Sequence, residues 1–327
     1  MTEPRHIRKG AEAVVAAGTL LGLVLQTAPA SADSGDGAPG SAGPKAAQER
    51  SSGWTAERMR GAKSLDLLDV GSRAVQDAGK AVPRGGELKI PPLAPGGDDE
   101  ALPEGGGPWS GGDDVVKTSG RVFFKFDGKD ASCSGNAVTS DNASTVMTAG
   151  HCVKMEGKWH SNWTFVPGYH DGEAPYGKWS ADKTLTTPQW EAGEDMNYDV
   201  GAAIVKPLDG KKLADVVGGQ GLSFNAARNT TMYAFGYPAA DPYDGEKLTY
   251  CSGTTFEDPL MYKAHGIACD MTGGASGGPW FTEFDEASGT GLQSSVNSYK
   301  YNFMPNAMFG PYFGEDAKKL YETAQAG

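Results

Sequence analysis

The stretch Thr272–Phe281 surrounds a serine with glycines: Gly273 and Gly274 precede Ala275 and Ser276, and Gly277 and Gly278 follow. Backbone of this kind turns sharply and approaches another molecule without Cβ obstruction. Acyl transfer needs a hydroxyl exposed at such a turn, with backbone N–H groups aimed at the oxyanion that forms when a carbonyl is attacked. Ser276 is therefore a candidate nucleophile, and the amides of Gly274 and Ser276 are the candidate oxyanion donors. Taken alone, the motif also fits a glycine-rich turn ahead of a buried strand, Pro279-Trp280-Phe281.

A serine hydroxyl is a poor nucleophile until a base takes its proton. Thr148-Ala149-Gly150-His151-Cys152 offers His151 at the end of an apolar run, beside a cysteine that a bridge could fix. His6 falls in the N-terminal leader, His160 and His170 in polar and aromatic loop sequence, and His265 stands without a supporting motif. The base in turn needs a carboxylate to hold its tautomer. Asp199, in Asn197-Tyr198-Asp199-Val200-Gly201, directly precedes the apolar run Ala202–Val205, where it can be held and desolvated. Asp182, Asp195 and Asp209 sit among other charges. Gly274-Ala275-Ser276-Gly277-Gly278 also satisfies the G-x-S-x-G elbow of α/β-hydrolases, in which the histidine follows the serine, but no histidine follows Ser276. The order His, Asp, Ser is that of the chymotrypsin-type triad.

Elements able to position these groups begin near Val115. Short β-branched and aromatic runs separated by turns continue from there: Val122–Phe126, Gly135–Val138, Thr145–Thr148, Asn162–Val166, Val200–Val205, Thr231–Phe235, Lys247–Cys251 and Gly291–Val296. Such spacing predicts barrel or sandwich architecture, with residues 115–205 as one unit, 206–220 as a connection and 221–327 as a second unit. Helical periodicity is confined to Glu315–Gln325, where Ala317, Leu320, Tyr321 and Ala324 share a face.

The 47 glycines and 20 prolines are excessive for a globular chain of 327 residues, and many lie before residue 112. Residues 1–32 read as a secretory signal: Arg5, Arg8 and Lys9, then the apolar run Val14–Leu25, then the small-residue cleavage site Ala30-Ser31-Ala32. The apolar run is too short for a membrane anchor. An exported, extracellular protein is expected, with no membrane association after cleavage. Residues 33–114 read as a disordered prosegment or linker, in which Trp54–Ala78 could form a short amphipathic helix over the active site before processing. A net charge of −12 argues against nucleic-acid partners, since there is no basic run to neutralise phosphates.

All four cysteines, Cys133, Cys152, Cys251 and Cys269, follow the leader. In an exported chain an even number favours disulfides over metal or redox chemistry. Three pairings are possible. The local one, Cys133–Cys152 with Cys251–Cys269, is the most economical, each loop being worth about 3 kcal/mol in the chain-entropy model.

Together, Thr148–Cys152, Asp199-Val200-Gly201 and Gly273–Pro279 resemble the motifs of bacterial secreted serine endopeptidases of the chymotrypsin/trypsin clan, nearest the V8-like, glutamyl-endopeptidase-like branch. The resemblance runs from about Val115 to the C-terminus. It implies an all-β fold of two six-stranded antiparallel β-barrels with a short C-terminal helix. The cleft between them would take His151 and Asp199 from the first barrel and Ser276 from the second, without a metal or other cofactor. Protein or peptide substrates, a zymogen form and a monomer are further expectations. By count from Ser276, Asp270 matches the base of the trypsin-like specificity pocket. Two departures stand out. Ala275 occupies the place of the aspartate that pairs with a newly cut N-terminus, so other contacts must order the oxyanion loop, the nearest being a Cys251–Cys269 bridge. Forms beginning between Gly111 and Lys117 should then be equally active. No histidine lies near Ser294–Ser298, where glutamyl-specific members carry one. The alternative reading is an inactive binding module on a protease fold. Calcium at Asp127–Asp130 or Asp241–Asp244 lacks full ligand spacing.

Overall fold

The computed structural model describes residues 53–65, 68–69, 84–93, 107–260 and 263–327. The expected signal segment, and Val75 of the expected amphipathic helix, lie outside the described residues.

Six strands build the first barrel: β1 (Ser119–Phe126), β2 (Lys129–Ala137), β3 (Thr145–Thr148), β4 (Ser161–Pro167), β5 (Trp179–Thr186) and β6 (Gly201–Val205). Antiparallel ladders run β2-β1-β4-β5-β6-β3, and β3 returns to β2, so the sheet closes on itself. Closure removes the unpaired edge that an open sheet would present. Valines, phenylalanines and tryptophans of these strands, among them Val122, Phe124, Val146, Phe165 and Trp179, fill the interior.

The second unit contains β7 (Gly221–Phe224), β8 (Thr231–Gly236), β9 (Thr249–Thr254), β10 (His265–Ala268), β11 (Pro279–Asp285), β12 (Thr290–Val296) and β13 (Met304–Gly310). Its strands fall in two hydrogen-bonded sheets, one running β7-β12-β11-β8-β9 and the other containing β10-β13. The sheets meet through the Cys251–Cys269 disulfide between β9 and the end of β10, and through Ser298 N–H, which donates to Phe309 O at 3.0 Å. The helix Glu315–Gln325 forms as its periodicity predicts, burying Ala317, Leu320, Tyr321 and Ala324.

Pieces of the 33–114 stretch are ordered, against the expectation of disorder. Leu88–Ile90 pairs antiparallel with β7, and Gly107–Pro108 with β9. Trp109 packs edge-on against Phe235, Tyr250 and Phe284, with ring centroids 5.1–5.6 Å away. Gly112 N–H donates to Glu286 O at 2.8 Å, and a helix over Asp113–Thr118 follows. Three apolar or aromatic anchors in glycine-rich sequence suffice here, because the pairing partners come from elsewhere in the chain. N-termini between Gly111 and Lys117 are therefore not equivalent: all lose Trp109, and those beyond Gly112 lose its hydrogen bond too. Among the described residues of Trp54–Ala78 a helix forms over Ala56–Gly61, capped by the Thr55 side chain. After it the chain extends, and Lys63–Ser64 adds a parallel strand to β2.

Candidate active site

The register of two barrel strands creates the site. Thr148, at the end of β3, pairs with Gly201, at the start of β6. Antiparallel pairing puts the residues just after β3 beside those just before β6, so His151, in a 3-10 turn, faces Asp199, at the end of another. The approach is close: a Cβ on Gly201 would lie 2.5 Å from Ala149 O. Asp199 holds His151 at two points. Its Oδ1 accepts the His151 backbone N–H at 2.7 Å, and its Oδ2 lies 2.7 Å from Nδ1. Ser298 Oγ donates to the same Oδ2 at 2.5 Å. With Nδ1 donating to the carboxylate, the ring carries its lone pair on Nε2, the atom a base uses.

Ser276 lies in the turn between β10 and β11. Gly274 has φ +93, which only glycine adopts without strain, and this turns its N–H toward the cleft. First-barrel strand β2 grips the loop. Ser134 N–H donates to Ser276 O at 2.7 Å, and Ser134 Oγ donates to Gly274 O at 2.9 Å. Asn297 holds the other side, its amide donating to Ala275 O at 2.9 Å and Phe235 O at 2.8 Å while its Oδ1 accepts the Trp280 indole at 2.6 Å. Ala275 itself is buried among Met232, Ile267, Met271, Trp280 and Met308. Cys251 and Cys269 share that buried cluster, so the loop is ordered by Asn297 and Ser134 together with packing that includes the disulfide.

His151, Asp199 and Ser276 are all fully buried. Among the described residues, His151 Nε2 and Ser276 Oγ each lack a hydrogen-bond partner. The candidate base and the candidate nucleophile are thus not hydrogen-bonded to each other. Gly274 N–H is occupied: it donates to Leu65 O at 3.0 Å.

Both local cysteine pairings form, Cys133–Cys152 and Cys251–Cys269. Cys133, Cys152 and His151 converge within 4.8 Å. Both sulfurs are spent in the bridge and Nδ1 is bonded to Asp199, so these atoms have no free ligand pairs of the kind a cation takes. Asp270 is exposed and accepts the Tyr243 hydroxyl at 2.9 Å. Nearby, the Lys300 ammonium donates to Cys269 O at 2.9 Å and Pro305 O at 2.7 Å, and burial lowers its pKa to about 8.

His160 carries more than its loop-like sequence indicates. It stacks on Phe124, ring centroids 4.3 Å apart, and its Nε2–H donates to the His151 carbonyl at 2.9 Å. Burial lowers its pKa to about 4, so it backs His151 as a neutral ring. The signal available in sequence was its position one residue before a β-strand, too common to single it out. Ser298 and Asn297 were hidden likewise, as polar residues at a strand end.

No known protein-family profile matches the sequence. A 71-residue stretch is 39% identical to an extracellular metalloprotease of Bacillus subtilis, covering 21% of this chain and 22% of that protein. Among solved structures, the protease Anisep of Arthrobacter nicotinovorans is 46% identical, with TM-score 0.63, over 68% of this chain and 100% of its own. The thermostable serine protease AL20, from an extremophilic microorganism, is 40% identical, with TM-score 0.62, over 65% of this chain and 99% of its own. A Glu endopeptidase, 17% identical with TM-score 0.54 over 69% of this chain and 98% of its own, shares the fold. Matched to two such proteases over nearly their full lengths, the chain belongs to the bacterial serine proteases of the chymotrypsin clan.

Proposed function

We propose that this protein is a secreted serine endopeptidase that hydrolyses peptide bonds through His151, Asp199 and Ser276. The observation that carries the proposal is the two-point hold of Asp199 on His151, with Ser276 on a glycine-flanked turn bonded to Ser134, next to the Cys133 that is bridged to Cys152. His151 Nε2 takes the Ser276 proton as Oγ attacks the scissile carbonyl. The amides of Gly274 and Ser276 receive the developing oxyanion, and Asp199 stabilises the imidazolium. His151 then protonates the leaving amine, leaving an acyl-enzyme, and a water activated by the same imidazole hydrolyses it. The proton travels between Ser276, His151 and the substrate, so the cycle balances without a cofactor.

Relatives that are proteases support protein or peptide substrates. Secretion is supported by the two disulfides and by the leader sequence. A zymogen form is supported by the leader strand Lys63–Ser64 on β2 and by the Leu65 carbonyl on Gly274 N–H. Asp270 as a selector of basic side chains is the weakest element, since Tyr243 already engages its carboxylate. Unchanged cleavage preference in Asp270→Ser would remove it from the specificity pocket.

A fluorophosphonate probe tests the central reading. Covalent labelling confined to Ser276, lost in Ser276→Ala and strongly slowed in His151→Ala, is expected. A processed protein that neither reacts with the probe nor cleaves a peptide library would instead be a binding module on a protease fold.

A further inference from the structure

The geometry points to the leader threading the active-site cleft backwards, so that Lys63–Leu65 fills the oxyanion site as an inhibitor that the enzyme cannot cut. The inference rests on the serine endopeptidase reading and adds the polarity of the occupant and its consequence.

Leu65 is bonded on both sides. Its N–H donates to Ser132 O at 2.9 Å and its carbonyl accepts Gly274 N–H at 3.0 Å, the donor a substrate carbonyl requires. Upstream, Lys63 and Ser64 pair in parallel with Ala131 and Ser132 on β2. Downstream, Leu68 and Asp69 pair in parallel with Tyr299 and Lys300, just past the Ser298 that bonds Asp199. The leader therefore enters along the first barrel and leaves along the second.

A productive substrate must run the other way. The bond broken lies on the C-terminal side of the attacked carbonyl, and its nitrogen must receive a proton from His151. His151 is tied to the first-barrel edge, because Cys152 beside it is bridged to Cys133, the neighbour of Ser132. The leaving, C-terminal part of a substrate therefore lies along Ser132, and the acyl part along Tyr299–Lys300. In the leader the assignment is reversed: the residues before Leu65 lie on the His151 side and those after it on the other. A chain running in this direction presents its leaving nitrogen on the side opposite the imidazole, so attack at the Leu65 carbonyl would give a tetrahedral adduct with no protonated leaving group, which collapses back.

The leader is anchored well enough to hold this position. Trp54 is fully buried against Phe123, ring centroids 5.4 Å apart, and its indole donates to Asn162 O at 3.1 Å. Arg58 makes a two-point bond to Asp130 at 2.9 and 3.0 Å while stacking on Trp54, and Met59 is fully buried. The bonds of Trp54 and Arg58 named here go to first-barrel residues, none of them His151 or Ser276.

Disulfide trapping in the full chain tests polarity without needing catalysis. In a Ser276→Ala background, Lys63→Cys with Ala131→Cys should cross-link, and Lys63→Cys with Lys300→Cys should not. The opposite pattern, or cleavage of the Leu65–Asp66 bond in the wild-type chain, would overturn the inference. A second measurement reads occupancy. The full wild-type chain should react with a fluorophosphonate at least tenfold more slowly than its Arg58→Ala variant, or than Met59→Ala should the first fold poorly. Equal rates would overturn the inhibition. Failure of every form to label, including chain whose leader has been removed by limited proteolysis, would count against the endopeptidase reading, while the trapping pattern would still decide the threading.

Discussion

His151 and Ser276, the proposed base and nucleophile, are held by different kinds of construction. His151 and Asp199 hang from adjacent ends of β3 and β6, in a barrel closed by continuous ladders. Ser276 sits in a loop of a unit whose sheets are joined by a disulfide and a few hydrogen bonds, and side chains from other strands hold that loop. Backbone pairing is distributed over many bonds, so no single residue carries it. The nucleophile loop combines backbone bonds to Ser134 and Asn297 with bonds from their side chains, so more of its order rests on those two residues. The catalytic geometry should accordingly tolerate substitutions around His151 better than around Ser276.

The largest effects are expected in the triad. Replacing Ser276, His151 or Asp199 by Ala should lower kcat/KM by about 10⁴-fold or more with the fold retained, because the three act as a unit. Near-wild-type turnover in Asp199→Ala, measured on a peptide substrate, would remove Asp199 from its role.

Next comes the nucleophile loop. Asn297→Val removes the side-chain bonds to the Trp280 indole and to the Ala275 and Phe235 carbonyls and loosens the oxyanion turn. A fall in kcat of about 10²-fold, with KM for a short peptide nearly unchanged, is expected from loss of donor alignment. An equal fall in activity from Thr186→Val, which removes a buried hydroxyl bond to Val200 O at 2.8 Å in the first barrel, would erase the proposed contrast between the two units.

The disulfides sharpen it thermodynamically. Each bridge closes a loop of similar length, with separations of 19 and 18 residues, so the chain-entropy contribution is about 3 kcal/mol for both. Cys251→Ala with Cys269→Ala removes a link between two sheets. Cys133→Ala with Cys152→Ala removes one inside a closed barrel. Denaturant unfolding should show the second-unit pair lowering stability more, and the reverse order would contradict the difference in construction.

The smallest effect is a pH dependence from His160. Its folded pKa of about 4 lies below the ordinary 6.5, so the unfolded chain binds the extra proton between these values. Stability contributed by the neutral ring is fully present above pH 6.5 and is lost as pH falls toward 4, by about 3 kcal/mol over the window. His160→Phe should flatten the thermal midpoint between pH 6.5 and 4. An unchanged slope would mean that other groups set the acid limit.

The candidate catalytic residue types and their order along the chain could be proposed from sequence because acyl transfer demands them locally: glycines around Ser276, a histidine after an apolar run, a carboxylate before one. Strand positions were legible for a similar reason, since alternation and turn residues act over a few positions. The sequence by itself also named the economical disulfide pairing. Only the tertiary structure decided what holds these groups. Asn297, Ser298, Ser134 and His160 act through contacts with residues distant in sequence, and nothing in their neighbours distinguishes them from ordinary strand-end polar residues. The leader shows the same limit from the other side. Its glycines and prolines promised disorder, but Trp54, Leu88–Ile90 and Trp109 find partners in the barrels, and burial against a preformed surface supplies the order that local propensity could not.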